Sequence, residues 1–193
     1  MSDKHFKVDA IVIGVSAGGL LALSGILGEL PADFPLPIIV VQHRSKDERT
    51  VLEDLLQSKC KIRIKQADEK EKIEGGVVYI APAGYHLLIE TNRSFSLSCD
   101  APVNFSRPSI DVLFETAAEV YETKLIGIIL TGASKDGAAG IEAIKRRGGI
   151  TIAQNPANAL FPVMPRAAID TGCVHYIFEL EEVKNFLLDI SKN

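Results

Sequence analysis

IVIGVSAGGLLAL, residues 11–23, runs from β-branched residues through Gly14, Ser16, Gly18 and Gly19 into an apolar stretch with helical spacing. It reads as a buried strand, a tight turn and a helix that opens at the turn. Ser16 stands on the turn, where a serine can hold a phosphate, cap the helix or attack a substrate.

Outward from this stretch the pattern repeats. Residues 8–14 (VDAIVIG) predict a buried strand and 19–30 a helix, followed by a second strand at 36–43 (LPIIVVQH). Ser45 and Glu48 have capping-box spacing before Val51, Leu52, Leu55 and Leu56. A third strand is expected at 62–67. Three segments between Gly75 and Ser98 (GGVVYIAP, YHLLIE, SFSLS) read as antiparallel hairpins. Then come a helix capped by Ser109, strands at 124–132 and 150–154, a helix at 137–147 stopped by Gly148 and Gly149, a helical turn near 165–170, a strand at 173–178 and a last helix. Repeated βα units imply an α/β fold. The expected form is a doubly wound, mostly parallel sheet in a Rossmann-like three-layer αβα arrangement, with an antiparallel hairpin region near 76–98. The 193 residues, 47% of them apolar, suit one domain over 1–193.

Composition narrows the function classes. A net charge of −4 gives no electrostatic footprint for nucleic acid. No segment approaches the ~20 apolar residues of a membrane span, and no signal peptide is evident. Cys60, Cys99 and Cys173 stand far apart, which fits neither a zinc site nor a disulfide framework. A cytoplasmic protein without metal or cofactor is expected. Nucleotide binding is disfavoured: there is no P-loop lysine, Ser16 stands where G-x-G-x-x-G needs its second glycine, and the second strand ends in Gln42-His43 without an acid.

Residues 14–18 fit G-x-S-x-G, with glycines that let N–H groups approach an oxyanion. A serine nucleophile needs a base and an orienting acid. His43 closes the second strand, whereas His5, His86 and His175 read as terminal, surface or structural imidazoles. Asp136, in LTGASKDG, follows another buried strand; its alternative role is a helix cap. Ser16, His43 and Asp136 thus fall at carboxyl ends of strands, where α/β sheets bind ligands. Arg107 is either a substrate-orienting cation or a surface arginine. The order Ser16, His43, Asp136 departs from that of α/β-hydrolases.

The chain resembles the catalytic domain of CheB-type chemotaxis protein-glutamate methylesterases. The likeness rests on IGVSAGG (13–19), VVQH (40–43), VYIAPAGYHLLIE (78–90), RPSIDVLFETAA (107–118), GIILTGASKDGAAGI (127–141), AQNPANA (153–159) and MPRAAID (164–170). The resemblance implies hydrolysis of glutamate methyl esters on chemoreceptor helices, with receptor glutamine deamidation in some relatives. It implies Ser16 as nucleophile, His43 as base and Asp136 as acid. Arg107 would line the site, and N–H groups near Ala17, Gly18 and Ala133 would hold the oxyanion. Two departures are visible. The family loop usually reads L-T-G-M-G-x-D-G, and here Ala133 and Ser134 replace its methionine and glycine. The family's common form also carries a receiver domain before the catalytic domain. Ser16 stands too early for one, so a separate response-regulator protein is the expected source of control. A binding module of the same fold with weak turnover is the alternative reading.

Overall fold

The computed structural model describes residues 7–44 and 52–192. Its elements are β1 (Ala10–Val15), α1 (Gly19–Leu27), β2 (Ile38–Gln42), α2 (Leu52–Gln57), β3 (Arg63–Gln66), β4 (Val77–Ile80), β5 (His86–Ile89) and β6 (Phe95–Ser98). After these come α3 (Ile110–Tyr121), β7 (Leu125–Ile129), α4 (Ala138–Arg146), β8 (Ile150–Gln154), α5 (Val163–Asp170), β9 (Tyr176–Phe178) and α6 (Leu180–Ile190). Seven strands form one sheet in the order β3-β4-β2-β1-β7-β8-β9, and each neighbouring pair is parallel. β5 and β6 form a separate antiparallel pair.

Alternation along the strands divides the interior into two cores. Ile11, Ile13, Val15, Ile38 and Val40 pack with Leu23 and Ile26 of α1 and Val183 and Leu187 of α6. Ala10, Val12, Ile39 and Val41 pack with Leu113 and Phe114 of α3 and Ile141 and Ile144 of α4. Full burial of each Val, Leu, Ile or Phe side chain among these stabilises the fold by about 1.5–3 kcal/mol. This is the three-layer αβα arrangement expected of the sequence.

Details differ from the expectation. Residues 75–82 do not join the hairpin: β4 lies between β3 and β2 in the parallel sheet, and the antiparallel pair is confined to 86–98. All four residues of β4 are buried, so its run of apolar side chains has two covered faces rather than one. α1 stops at Leu27 instead of 30; Leu30 precedes Pro31, whose ring disfavours helical backbone before it. The last strand begins at Tyr176 rather than 173. His5, and the Ser45, Glu48 and Val51 of the capping box, lie outside the described residues.

Strand order fixes where a ligand can enter. The chain leaves β1 for β2 on one side and returns as β7 on the other, so the order switches at β1 and opens a crevice beyond the strand ends. Two bonds continue the ladders into it: His43 N–H donates to Val15 O and Ser16 N–H to Thr131 O, both at 3.0 Å.

Candidate active site

Ser16 follows β1, and its backbone is held from several sides. Besides its own N–H bond, its carbonyl accepts from Gly19 N–H and from Gln42 Nε2, each at 2.9 Å. Gly18 caps α1 at φ 80°, where a side chain would be strained. No side chain caps this helix, and the N–H groups of Ala17 and Gly18 have no acceptor among the described residues. Gly132, on the loop after β7, lies so close that an added Cβ would come within 2.9 Å of Ser16 Cβ. The next N–H, of Ala133, likewise has no acceptor among the described residues, and the Ala133 side chain is exposed.

His43 follows β2, and its Nε2 lies 2.7 Å from Asp136 Oδ2. With Nε2 donating, Nδ1 is left as the basic nitrogen. It lies 3.5 Å from Ser106 Oγ. No hydrogen bond joins Ser16 Oγ to the ring among the described residues, but Ser16 and His43 line one cleft of about 730 Å³.

Asp136 is fully buried and receives five donors. His43 Nε2 and Ile110 N–H (2.6 Å) reach Oδ2. Ser109 Oγ (2.8 Å), Asn104 Nδ2 (3.1 Å) and Asp111 N–H (3.2 Å) reach Oδ1. The carboxylate therefore sits on the N-terminus of α3, where orphan N–H groups and the helix dipole favour negative charge. Burial would raise its pKa, but the bonds from His43, Ile110, Asn104 and Ser109 prevail and hold it below the ordinary range. Ser109 does occupy the N-cap position of α3, as expected, yet its hydroxyl serves Asp136 rather than its own helix.

Asp111, in the first turn of α3, completes a reciprocal arrangement. Its Oδ1 accepts from Gly140 N–H of α4 at 2.7 Å, and its Oδ2 accepts from Asn104 Nδ2, also at 2.7 Å. Burial pushes its carboxyl up from 3.8 to about 6, aided by the nearby charges of Asp136 and Glu115 and opposed by the Gly140 bond. Asn104 thus bridges the two acids through one amide nitrogen.

Two arginines also line the cleft. Arg107 lies there with Nη1 braced on Cys99 O (2.6 Å) and Asp100 O (2.7 Å). Arg44 was not anticipated; its side chain is 4% exposed and pairs with Glu53 at 3.0 Å. The sequence reading also missed Asn104, Ser106 and Asp111. Asp111 had a readable signal, an acid in the first turn of a helix; the loop residues had none. Among the described residues no group of three or more His, Cys, Asp or Glu is placed to hold a metal ion. Nor is any helix there long and apolar enough to cross a membrane.

Comparison with known proteins gives a consistent result. The family described as CheB methylesterase matches residues 11–187. A Leptospira interrogans relative is 51% identical over 185 residues, with 96% of each chain covered. The protein-glutamate methylesterase/protein-glutamine glutaminase of Archaeoglobus fulgidus is 39% identical over 184 residues, covering 92% of this chain and 53% of that one. The chain spans about half the length of that relative, and of the Clostridium acetobutylicum protein of the same name. Among solved structures, the Thermotoga maritima CheB methylesterase catalytic domain superposes with a TM-score of 0.91 at 34% identity, covering 95% of this chain and 99% of that one.

Proposed function

The chain belongs to the CheB methylesterase family, and on that premise we propose that it hydrolyses glutamate methyl esters on methylated chemoreceptor helices, through Ser16, His43 and Asp136. The carrying observation is the 2.7 Å bond from His43 Nε2 to the buried Asp136, in the cleft that Ser16 lines. In this reading the chain is one catalytic domain, working in the cytoplasm on receptor helices, with a separate response regulator as a further partner.

Ser16 Oγ attacks the ester carbonyl carbon while His43 Nδ1 takes its proton. The carbonyl oxygen becomes an oxyanion, received by the free N–H groups of Ala17 and Gly18 and by that of Ala133. His43 returns the proton to the leaving methoxide, and methanol departs. Water then gives a proton to His43 and attacks the acyl-serine; Ser16 leaves with that proton, and the glutamic acid formed gives up its own proton to solvent and remains as a carboxylate. Asp136 holds the tautomer and the imidazolium throughout. The same steps on a glutamine side chain release ammonia, in keeping with the glutaminase in the relatives' names.

The test is methanol release from methylated receptor fragments, alongside labelling by a fluorophosphonate probe. Ser16→Ala is expected to abolish labelling and lower kcat by up to about 10⁶-fold. Equal rates for wild type and Ser16→Ala would overturn the mechanism.

A further inference from the structure

Residues 103–106 close a two-residue hairpin beside the cleft. Ser106 N–H donates to Val103 O at 2.9 Å, and Val103 N–H returns to Ser106 O at 3.1 Å. The two residues between them, Asn104 and Phe105, both have positive φ, 49° and 62°. Two left-handed residues in succession mark a type I′ turn, whose second central place favours glycine because a side chain there crowds its own backbone. Here that place holds phenylalanine. A bulky residue in this region is an outlier. Its ring gains nothing from the fold, since Phe105 is 103% exposed. A costly conformation whose side chain contributes no packing points to a use outside the fold.

The flanking residues show where that use lies. Asn104 Nδ2 donates to Asp136 and Asp111, and Ser106 Oγ lies 3.5 Å from His43 Nδ1. The turn is therefore tied to the base and to both acids, and it carries the ring on the rim of the cleft that Ser16 and His43 line. Exposed Pro102 and Val103 continue the apolar lip.

We propose that Phe105 is a specificity-determining anchor for the protein substrate, and that its ring seats against apolar side chains flanking the esterified glutamate. The proposal rests on the esterase reading, because only a substrate presented to Ser16 must pass this rim. The ring is uncharged and its neighbours Pro102 and Val103 are apolar, so the surface that meets the ring is apolar, while Arg44 and Arg107 line the same cleft. Well-packed aromatic anchors of this kind carry a large share of binding energy in protein interfaces.

The experiment compares two substrates with wild type, Phe105→Leu and Phe105→Gly. One is a methylated receptor fragment; the other is the γ-methyl ester of N-acetylglutamate amide. Phe105→Gly is expected to lower kcat/KM on the receptor fragment at least about tenfold more than on the small ester, mainly through KM. Phe105→Leu should fall between. Because glycine relieves the turn, the Tm of Phe105→Gly is expected to rise by about 2 °C. A loss equal on both substrates, or none on either, would overturn the anchor while leaving the esterase intact. A fall in Tm for Phe105→Leu, which removes the ring without glycine's added chain entropy, would show that the ring supports the fold and would also overturn it. If wild type cleaves neither substrate, the esterase reading fails and takes the anchor with it.

Discussion

Two kinds of helix N-terminus meet at the cleft, and they are finished in opposite ways. At α1 no side chain caps the helix, and the N–H groups of Ala17 and Gly18 face no acceptor among the described residues. At α3 and α4 the termini are filled, each by a carboxylate belonging to the other. Asp136, just before α4, accepts from Ile110 and Asp111 N–H, and Asp111, on α3, accepts from Gly140 N–H. The same partial positive charge at a helix end is thus used twice. In the proposed mechanism the filled ends hold a permanent anion bonded to His43, and the open end would receive charge that appears only as a bond is made. An ester hydrolase of the serine type needs both, one fixed charge and one vacant place for a transient one.

The comparison breaks most visibly at Asp136. Asp136→Asn keeps the volume but turns one acceptor into a donor among five donors, so either the His43 Nε2 and Ile110 N–H bonds at Oδ2 or the Ser109, Asn104 and Asp111 bonds at Oδ1 must be lost. The expected fall in kcat for methanol release is about 10⁴-fold, with the circular dichroism spectrum retained. A loss below tenfold would mean that the filled terminus is a helix cap and no more.

These filled termini were only half legible in the sequence. Strand, glycine turn and helix could be read at 11–23 because β-branched runs, glycines and helical spacing are local signals. Ser16, His43 and Asp136 could be placed together because a parallel sheet gathers the ends of its strands on one side. β4 could not be placed: an apolar run followed by a turn reads equally as a hairpin strand or a buried parallel one, and only the cover on its second face decides. The Asn104 bridge spans 32 residues to Asp136, and nothing in the spacing announces it. The turn at Asn104-Phe105 escaped for a different reason: the glycine that usually marks such a turn is absent.

A smaller effect is expected at the second filled terminus. Asp111→Asn leaves Gly140 N–H an acceptor but turns a donor toward Asn104, so Asp136 loses part of its support. Loss of such an outer partner typically costs about tenfold or more, and kcat is expected to fall about tenfold with KM little changed. Stability supplies a second readout. The Asp111 carboxyl is raised from 3.8 to about 6, so between those values the folded chain binds a proton that the unfolded chain has lost. Its contribution to stability therefore falls as pH rises through that window and is constant above it. Asp111→Asn removes this dependence. Its stability relative to wild type, from urea midpoints, is expected to be higher at pH 7 than at pH 4.5. The same difference at both pH values would show that Asp111 does not titrate in this range.

The smallest effect is expected at Ala133, in the loop after β7 that lies against Ser16, where the chain departs from the usual family loop. Ala133 is exposed, and its backbone N–H has no acceptor among the described residues. The loop around it is set by other groups. Gly132 N–H donates to Phe161 O at 2.9 Å, and Met164 N–H donates to Gly132 O at 3.0 Å. Ser134 Oγ accepts from Asp136 N–H at 3.2 Å and approaches Met164 Sδ at 3.7 Å. The serine that replaces the usual glycine therefore holds the turn leading into Asp136. Ala133→Met adds a side chain directed away from these contacts, so stability should change by less than about 0.5 kcal/mol. Turnover of a methyl ester should stay within about threefold of wild type. Ser134→Gly, by contrast, leaves Asp136 N–H without its acceptor and should cost about 1 kcal/mol, read as a lower urea midpoint. If Ala133→Met instead abolished turnover or raised it many-fold, this loop would act through a side chain rather than through its backbone N–H, and the open end of α1 would not be matched by a second backbone donor across the β7 loop.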